Sequence, residues 1–255
     1  MFVLKHLWAG MFGGVLMVAI GLSNLLWQTG WPVARYDALF VVSVLTQGVF
    51  LLLRLETREE VAALVAFSVL GLGVELYNTG VGNWAYPEHG IFAFAGVPLF
   101  VGAMYAAVGV CVIRMIRIFE MHFAPFPPRL AAVALAAAIY VNFFTQHLWV
   151  DLRIGLFALM ILLFARTRIW FTPFRGRRWH MPMLLSLFLS ALGVWLAENL
   201  GTLTGTWRYD GQDPAQWVSL ATLGSWILFL FVALMVALSV LPAATERRPV
   251  TASPT

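Results

Sequence analysis

The sequence predicts an all-α, polytopic membrane protein of about eight transmembrane helices, and three features of its 255 residues predict it. Hydrophobic residues make up 61% of the chain and charged ones 11%, against roughly 25% charged residues in a soluble globular domain. The apolar residues come in long unbroken runs rather than in the period-two alternation of a membrane barrel. Lipid offers an open backbone no hydrogen-bond partner, so such runs must close their bonds within helices. The basic residues, finally, lie between the runs and mostly on one side of them, the pattern of the positive-inside rule.

With about twenty residues needed to cross the hydrocarbon core, the runs define eight spans. The first covers 7–27. Only Lys5 and His6 precede it, and although it starts like a signal peptide it runs on too long and lacks a small-residue cleavage site, so it is kept as a helix. The next three cover 38–54, 60–78 and 91–114, and the last four 130–149, 151–168, 181–201 and 216–242, the second and sixth being the shortest. Residues 1–242 then form one helical domain, and 243–255, polar and proline-containing, are expected to be a disordered cytoplasmic tail. Thirteen of the sixteen Lys and Arg fall on one side of this map and only Arg35, Arg153 and Arg208 on the other. Both termini are therefore expected in the cytoplasm. The scattered arginines form no patch for nucleic acid. The single cysteine, Cys111, excludes an intrachain disulfide framework.

Two connections on the expected outer side carry related sequences. ELYNTGVGNWAYPEHG begins at Glu75 and ENLGTLTGTWRYDGQD at Glu198; at an offset of 123 residues Glu75 meets Glu198, Thr79 meets Thr202, Gly82 meets Gly205, Trp84 meets Trp207 and Tyr86 meets Tyr209. This suggests a repeat of four helices plus four, with halves near 1–118 and 119–242. An even number of helices per copy keeps both copies in the same orientation, about an axis along the membrane normal.

The candidate chemistry gathers there. A carboxylate at a membrane helix end is costly unless paired, hydrogen-bonded or wet, so Glu75 and Glu198 are either interfacial caps or an acid pair in which one carboxyl stays protonated while the other is ionised. Asn78 and Asn199 could donate to a carboxylate or a substrate oxygen, or could simply end their helices. Trp84, Tyr86, Trp207 and Tyr209 could belong to an aromatic belt. Alternatively, two aromatics one residue apart on an extended segment point to one side and could wall an apolar ligand. In VNFFTQHLWVDLR, Asn142 is a further polar candidate, and His147 and Asp151, four residues apart, could form a proton relay or an ordinary polar connection. His89 could join this cluster. No helical metal-ligand pair, phosphate loop, nucleophile elbow or dinucleotide fingerprint is present, so neither metal nor cofactor is expected.

The stretch GNWAYPEHGIFAFAGVPLFVGAMYAAVG, Gly82 to Gly109, resembles a segment of membrane carotenoid enzymes, the heterodimer-type lycopene cyclases and related hydratases: Trp84, Tyr86 and Pro87 precede an apolar run, then Gly96, Pro98 and Leu99 lead into a helix. In the cyclases paired glutamates follow the Pro-Leu; here Phe100 and Val101 stand there, so those acids are not carried over. Over nearly its full length the chain is similar to a bacterial membrane family, domain of unknown function 817, which implies a bacterial cytoplasmic membrane. The expectation is an enzyme acting by acid-base chemistry on an isoprenoid, carotenoid-like or other apolar lipid. Glu75 or Glu198 would supply a proton, His147 with Asp151 or the other carboxylate would remove one, and the aromatics would face the cation. The alternative is a proton-coupled transporter or ligand-binding membrane protein for a small solute. Oligomeric state is not legible.

Overall fold

A computed structural model describes residues 2–28, 30–146, 150–174, 177–213 and 216–245. The polar tail from 246 onward, expected to be disordered, lies outside them, as does His147. Helices α1 (Phe2–Ala9) and α2 (Met11–Leu26) meet at Gly10 with a bend of 68°, so the first apolar run is broken rather than straight. Then come α3 (Arg35–Leu52) and α4 (Arg58–Gly80), strand β1 (Trp84–Ala85), the pair β2 (Ala93–Phe94) and β3 (Val97–Pro98), and α5 (Phe100–Ile118). The chain continues through β4 (His122–Ala124), α6 (Arg129–Thr145), α7 (Arg153–Phe164), β5 (Arg168–Phe174), β6 (Arg177–Pro182), α8 (Met183–Leu203), β7 (Arg208–Tyr209) and α9 (Leu220–Val240).

Local chemistry sets several of these boundaries. Thr57 and Glu60 form a reciprocal capping box that starts α4, each satisfying a backbone N–H the helix cannot. Ser219 accepts from the Thr222 N–H and starts α9. Residues 91–99, which hydropathy assigns to the start of a span, are instead the β2–β3 hairpin. Ala95 and Gly96 both take positive φ there (47° and 82°), which no helix accommodates, and α5 starts only at Phe100. Likewise the stretch after α7 forms strands β5 and β6, which join β4 from the α5–α6 connection in a three-stranded antiparallel sheet, β4-β5-β6, with His122 opposite Trp170 and Trp170 opposite His180. The chain is thus mostly helical, with small sheets at the ends of the helices.

Helices α3, α4, α5, α8 and α9 are each long and apolar enough to cross a membrane, and the bent α1–α2 pair brings the number to six. The 17-residue α6 and 12-residue α7 rise about 26 and 18 Å at 1.5 Å per residue, short of the ~30 Å hydrocarbon core. Helix α9 packs against α4, α5, α6 and α8; every residue from Leu228 to Met235 is buried, as expected of a helix apolar on all sides. Helices α4 and α5 touch along their length because glycine lets them. A Cβ on Gly71 would lie 2.1 Å from Tyr105 Cγ, and one on Gly109 1.9 Å from Phe67 Cδ2, the close approach that small residues permit between membrane helices. Large side chains such as Leu22, Leu25, Val69, Ile154 and Leu162 remain exposed, leaving apolar faces for lipid.

At one end of the bundle an arginine is buried against two glutamates. Arg114, 1% exposed, reaches Glu56 at 3.4 Å and Glu60 at 3.1 Å, and Arg117 reaches Glu60 at 2.8 Å. Gln47 donates to Glu56, and Lys5 donates to the carbonyls of Ile118 and Thr172. In the sequence these arginines mark topology only.

Candidate functional site

Glu75 and Glu198 belong to the last turns of α4 and α8, at the end of the bundle opposite Arg114, and the two helices stop in the same way. Gly82 and Gly205 both adopt positive φ, 81° and 62°. The Gly82 N–H reaches the Thr79 carbonyl and the Asn83 N–H that of Asn78; the Gly205 N–H reaches Thr202 and the Thr206 N–H that of Gly201. Both ends are Schellman caps, with glycine at the left-handed position because it has no Cβ to clash. The cap reverses the chain, and the following W-x-Y segment runs back over the helix end.

That reversal closes a clamp on each carboxylate. Trp84 Nε1 and Tyr86 Oη donate to Glu75 Oε2, both at 2.7 Å, and Tyr105 Oη on α5 donates to Oε1 at 2.8 Å. Trp207 Nε1 and Tyr209 Oη donate to Glu198 Oε1 at 2.8 and 2.6 Å, with Trp226 of α9 alongside. The glutamates are only 5% and 8% exposed. Strands β1 and β7 pair antiparallel, Trp84 opposite Tyr209 and Ala85 opposite Arg208, so Ala85 faces its own counterpart at the 123-residue offset. The Trp84 and Tyr209 rings meet edge to face, 5.7 Å between centroids. Burial, and next the carboxylate each phenol faces, hold Tyr86 and Tyr209 well above their ordinary pKa; both therefore remain donors.

Gly201 makes the second clamp possible, since a Cβ there would lie 1.9 Å from Trp207 Cζ2. Gly201→Ala is expected to push Trp207 off Glu198 and destabilise the protein by about 1–3 kcal/mol, as overpacking does. A red shift and loss of intensity in tryptophan fluorescence, with a lower unfolding midpoint in detergent, would register it. Wild-type values would mean the ring is free to move.

Both carboxylates line one cavity of about 780 Å³. Its walls run from Met121, Phe123 and Ile169 at the sheet end, past Met17, Met104 and Val194, to Trp84, Tyr86, Trp207 and Tyr209 at the glutamate end. The lining is overwhelmingly apolar.

The other candidates divide. Asn78 touches this cavity, but its Nδ2 is bound to the Val74 carbonyl at 2.8 Å and its Oδ1 to Asn83. Asn199 joins Trp195 and Val218, and Asn142 accepts from the Leu152 N–H. These asparagines tie helix ends to connections, where backbone groups lack intrahelical partners. Asp151 is not itself in the cavity lining but pairs at 2.7 Å with Arg153, which is, and that guanidinium holds its carboxyl below the usual range. His89 is exposed and outside the lining as well. His147 lies outside the described residues. Among the described residues no group of three His, Cys, Asp or Glu is placed to hold a metal. Sequence reasoning does not find Tyr105, Trp226 or Gly201. A tyrosine in the middle of an apolar span is the available signal for Tyr105, since a buried phenol needs a partner.

A family profile described as protein of unknown function (DUF817) matches residues 1–234. The chain belongs to that family. A relative from Bacillus subtilis (strain 168), the uncharacterized protein YoaT, is 36% identical over 241 residues, 94% of this chain and 89% of its own. Among solved structures the fold is similar to MvINS, an Insig homologue of Mycobacterium vanbaalenii: TM-score 0.53, 15% identity, 76% of this chain and 98% of that one. A cross-linked trimer of MvINS matches with TM-score 0.52 at the same identity and coverage. At this identity the likeness concerns the fold alone. The DUF817 protein is therefore a multi-pass membrane protein whose helices are arranged as in an Insig-type fold.

Proposed function

We propose that this DUF817 protein is a ligand-binding protein of the bacterial cytoplasmic membrane that holds an apolar, lipid-like molecule in its central cavity, with the polar end of the ligand at Glu75 and Glu198. The cavity carries the reading: 780 Å³ of mainly apolar lining with two clamped carboxylates at one end. That size lies within the usual range for ligand sites, about 300–1,000 Å³, and so does the chemistry, apolar walls with a few placed polar groups. In this reading residues 1–242 form one membrane domain of eight crossings, α6 and α7 included, as two parallel repeats. The matching caps and the β1–β7 register support an axis between Ala85 and Arg208. The predominance of arginine near Arg114 supports placing that end, and both termini, in the cytoplasm.

A second reading keeps the acid-base enzyme, favoured by two carboxylates facing one cavity with aromatic rings around them. One carboxyl would give a proton to a double bond and the other remove one, an isomerisation. The segment resembling carotenoid enzymes forms the clamp of Glu75 and the β2–β3 hairpin, and the ligand class proposed is an apolar lipid.

Mass spectrometry of molecules bound to the purified protein, together with whole-cell lipid extracts, tests both. Gly193 lines the cavity, and a Cβ added to it would meet nothing within 4 Å, so the backbone there accepts a side chain and Gly193→Phe is expected to take up cavity space. A molecule that co-purifies with the wild type and is lost from Gly193→Phe supports the binding reading. Its accumulation in cells lacking the gene or carrying Glu75→Gln and Glu198→Gln supports turnover. No co-purifying molecule from any version would sink both.

A further inference from the structure

The glutamate end of the cavity carries two carboxyl groups, and among the described residues no basic side chain in its lining bonds to either. Among the described residues the basic groups lining it are His6 and Arg153. His6 sits on α1 with its ring against Phe2 and Phe119; Arg153 is paired with Asp151 and bonded to Ser225. Neither bonds to Glu75 or Glu198. The groups that do are neutral indoles and phenols. Ionising two carboxyls in an apolar surround carries a large desolvation cost that neutral donors offset only in part, and a cation placed beside them would favour the ionised form.

The neutral partners suit a cation too. The named donors take three of the roughly four lone-pair positions on Glu75 and two on Glu198, leaving acceptor capacity. Trp84, Tyr86, Tyr105, Trp207, Tyr209 and Trp226 all line the same end, and aromatic side chains gathered around a charge are how proteins recognise ammonium groups. An anionic head would be repelled. An alcohol could give a hydrogen bond but would not offset the cost of ionising the carboxyls.

We infer that the polar end of the cavity takes a lipophilic organic cation, an ammonium-type head on Glu75 and Glu198 with its apolar body along the rest of the cavity. This rests on the reading of the cavity as a ligand site and narrows its ligand to one charge.

The test is scintillation-proximity binding of tritiated tetraphenylphosphonium to the full-length protein in dodecylmaltoside, with dodecylamine, dodecanol and dodecanoate as competitors. Saturable binding displaced by dodecylamine but not by the alcohol or the acid is expected. Direct binding of the compact probe points to a free cation as the natural ligand, whereas a site that only dodecylamine occupies, seen by mass spectrometry, points to a cationic lipid. Glu75→Gln with Glu198→Gln should weaken binding at least about tenfold, the weight of a lost charge-assisted contact, in a preparation that remains monodisperse. Should that variant not fold, selectivity among three heads on one chain still decides. Equal competition by amine, alcohol and acid, or undiminished binding by a folded double variant, overturns the inference. If cations fail while a neutral molecule co-purifies in the Gly193-sensitive way, the cation is wrong and the cavity reading stands; if nothing binds, both are wrong.

Discussion

Glu75→Ala is expected to destabilise the protein by about 3–6 kcal/mol, the larger of the two glutamate effects. The substitution removes the acceptor of three side-chain donors, Trp84 Nε1, Tyr86 Oη and Tyr105 Oη, and a buried donor left unsatisfied costs about 1–3 kcal/mol. Tyr105 stands on α5 and Trp84 on the returning segment, so the loss loosens α4 from both. Glu75→Gln should cost much less, because its amide oxygen still accepts. Glu198→Ala should fall between, with two such bonds lost. Unfolding midpoints in detergent for the three variants measure this order. A change under about 1 kcal/mol for Glu75→Ala, less than one stranded donor costs, would mean the clamp does not hold the helix end.

Arg114→Met should be of similar size, about 3–5 kcal/mol, for the opposite reason. Here the carboxylates are left behind: Glu56 loses its buried cation while Glu60 keeps only the exposed Arg117, and breaking a buried pair leaves an uncompensated charge. Burial already pushes the Glu56 carboxyl above its ordinary range, with Gln47 and Arg114 opposing. Without Arg114 it rises further in the folded state only. The folded form then binds protons more readily than the unfolded one, so the deficit is largest at neutral to alkaline pH and shrinks as pH falls through the acidic range. Adding Glu56→Gln and Glu60→Gln removes the stranded charges and should recover most of the loss at neutral pH. A deficit independent of pH, or no recovery, would show that Arg114 acts through packing on Trp8 and Phe50 rather than through charge.

Much of the site can be found in the sequence because it is written twice. Glu, Gly, Trp and Tyr recur at one spacing, and the structure uses each recurrence: the glycine for a left-handed cap, the Trp and Tyr as donors to the carboxylate ahead of them. Their job is not legible. Spacing shows that two aromatics share a side of an extended segment; whether they offer ring faces to a ligand or N–H and O–H edges to a neighbour depends on what lies there. Tyr105 and Trp226 come from helices with no matching motif, and Gly201 matters only because Trp207 folds onto it. Arg114 is invisible for a like reason: its charge marks the end of a span, while its partners Glu56 and Glu60 arrive from another helix start.

What the sequence by itself determined is the solvent and the class of element. Helix formation in lipid is dictated by local composition, since each run must satisfy its own backbone, and so the helices could be located from hydropathy alone. Where apolar residues met backbone constraints, at Ala95 and Gly96 or at Gly10, hydropathy reads straight through a hairpin or a bend because it is blind to φ and ψ. The cavity and the meeting of Glu75 and Glu198 in its lining were decided by tertiary structure, through glycine contacts that draw α4 against α5 and a strand pair that brings residues 84–85 to 208–209. These are long-range contacts, whose geometry no local pattern encodes.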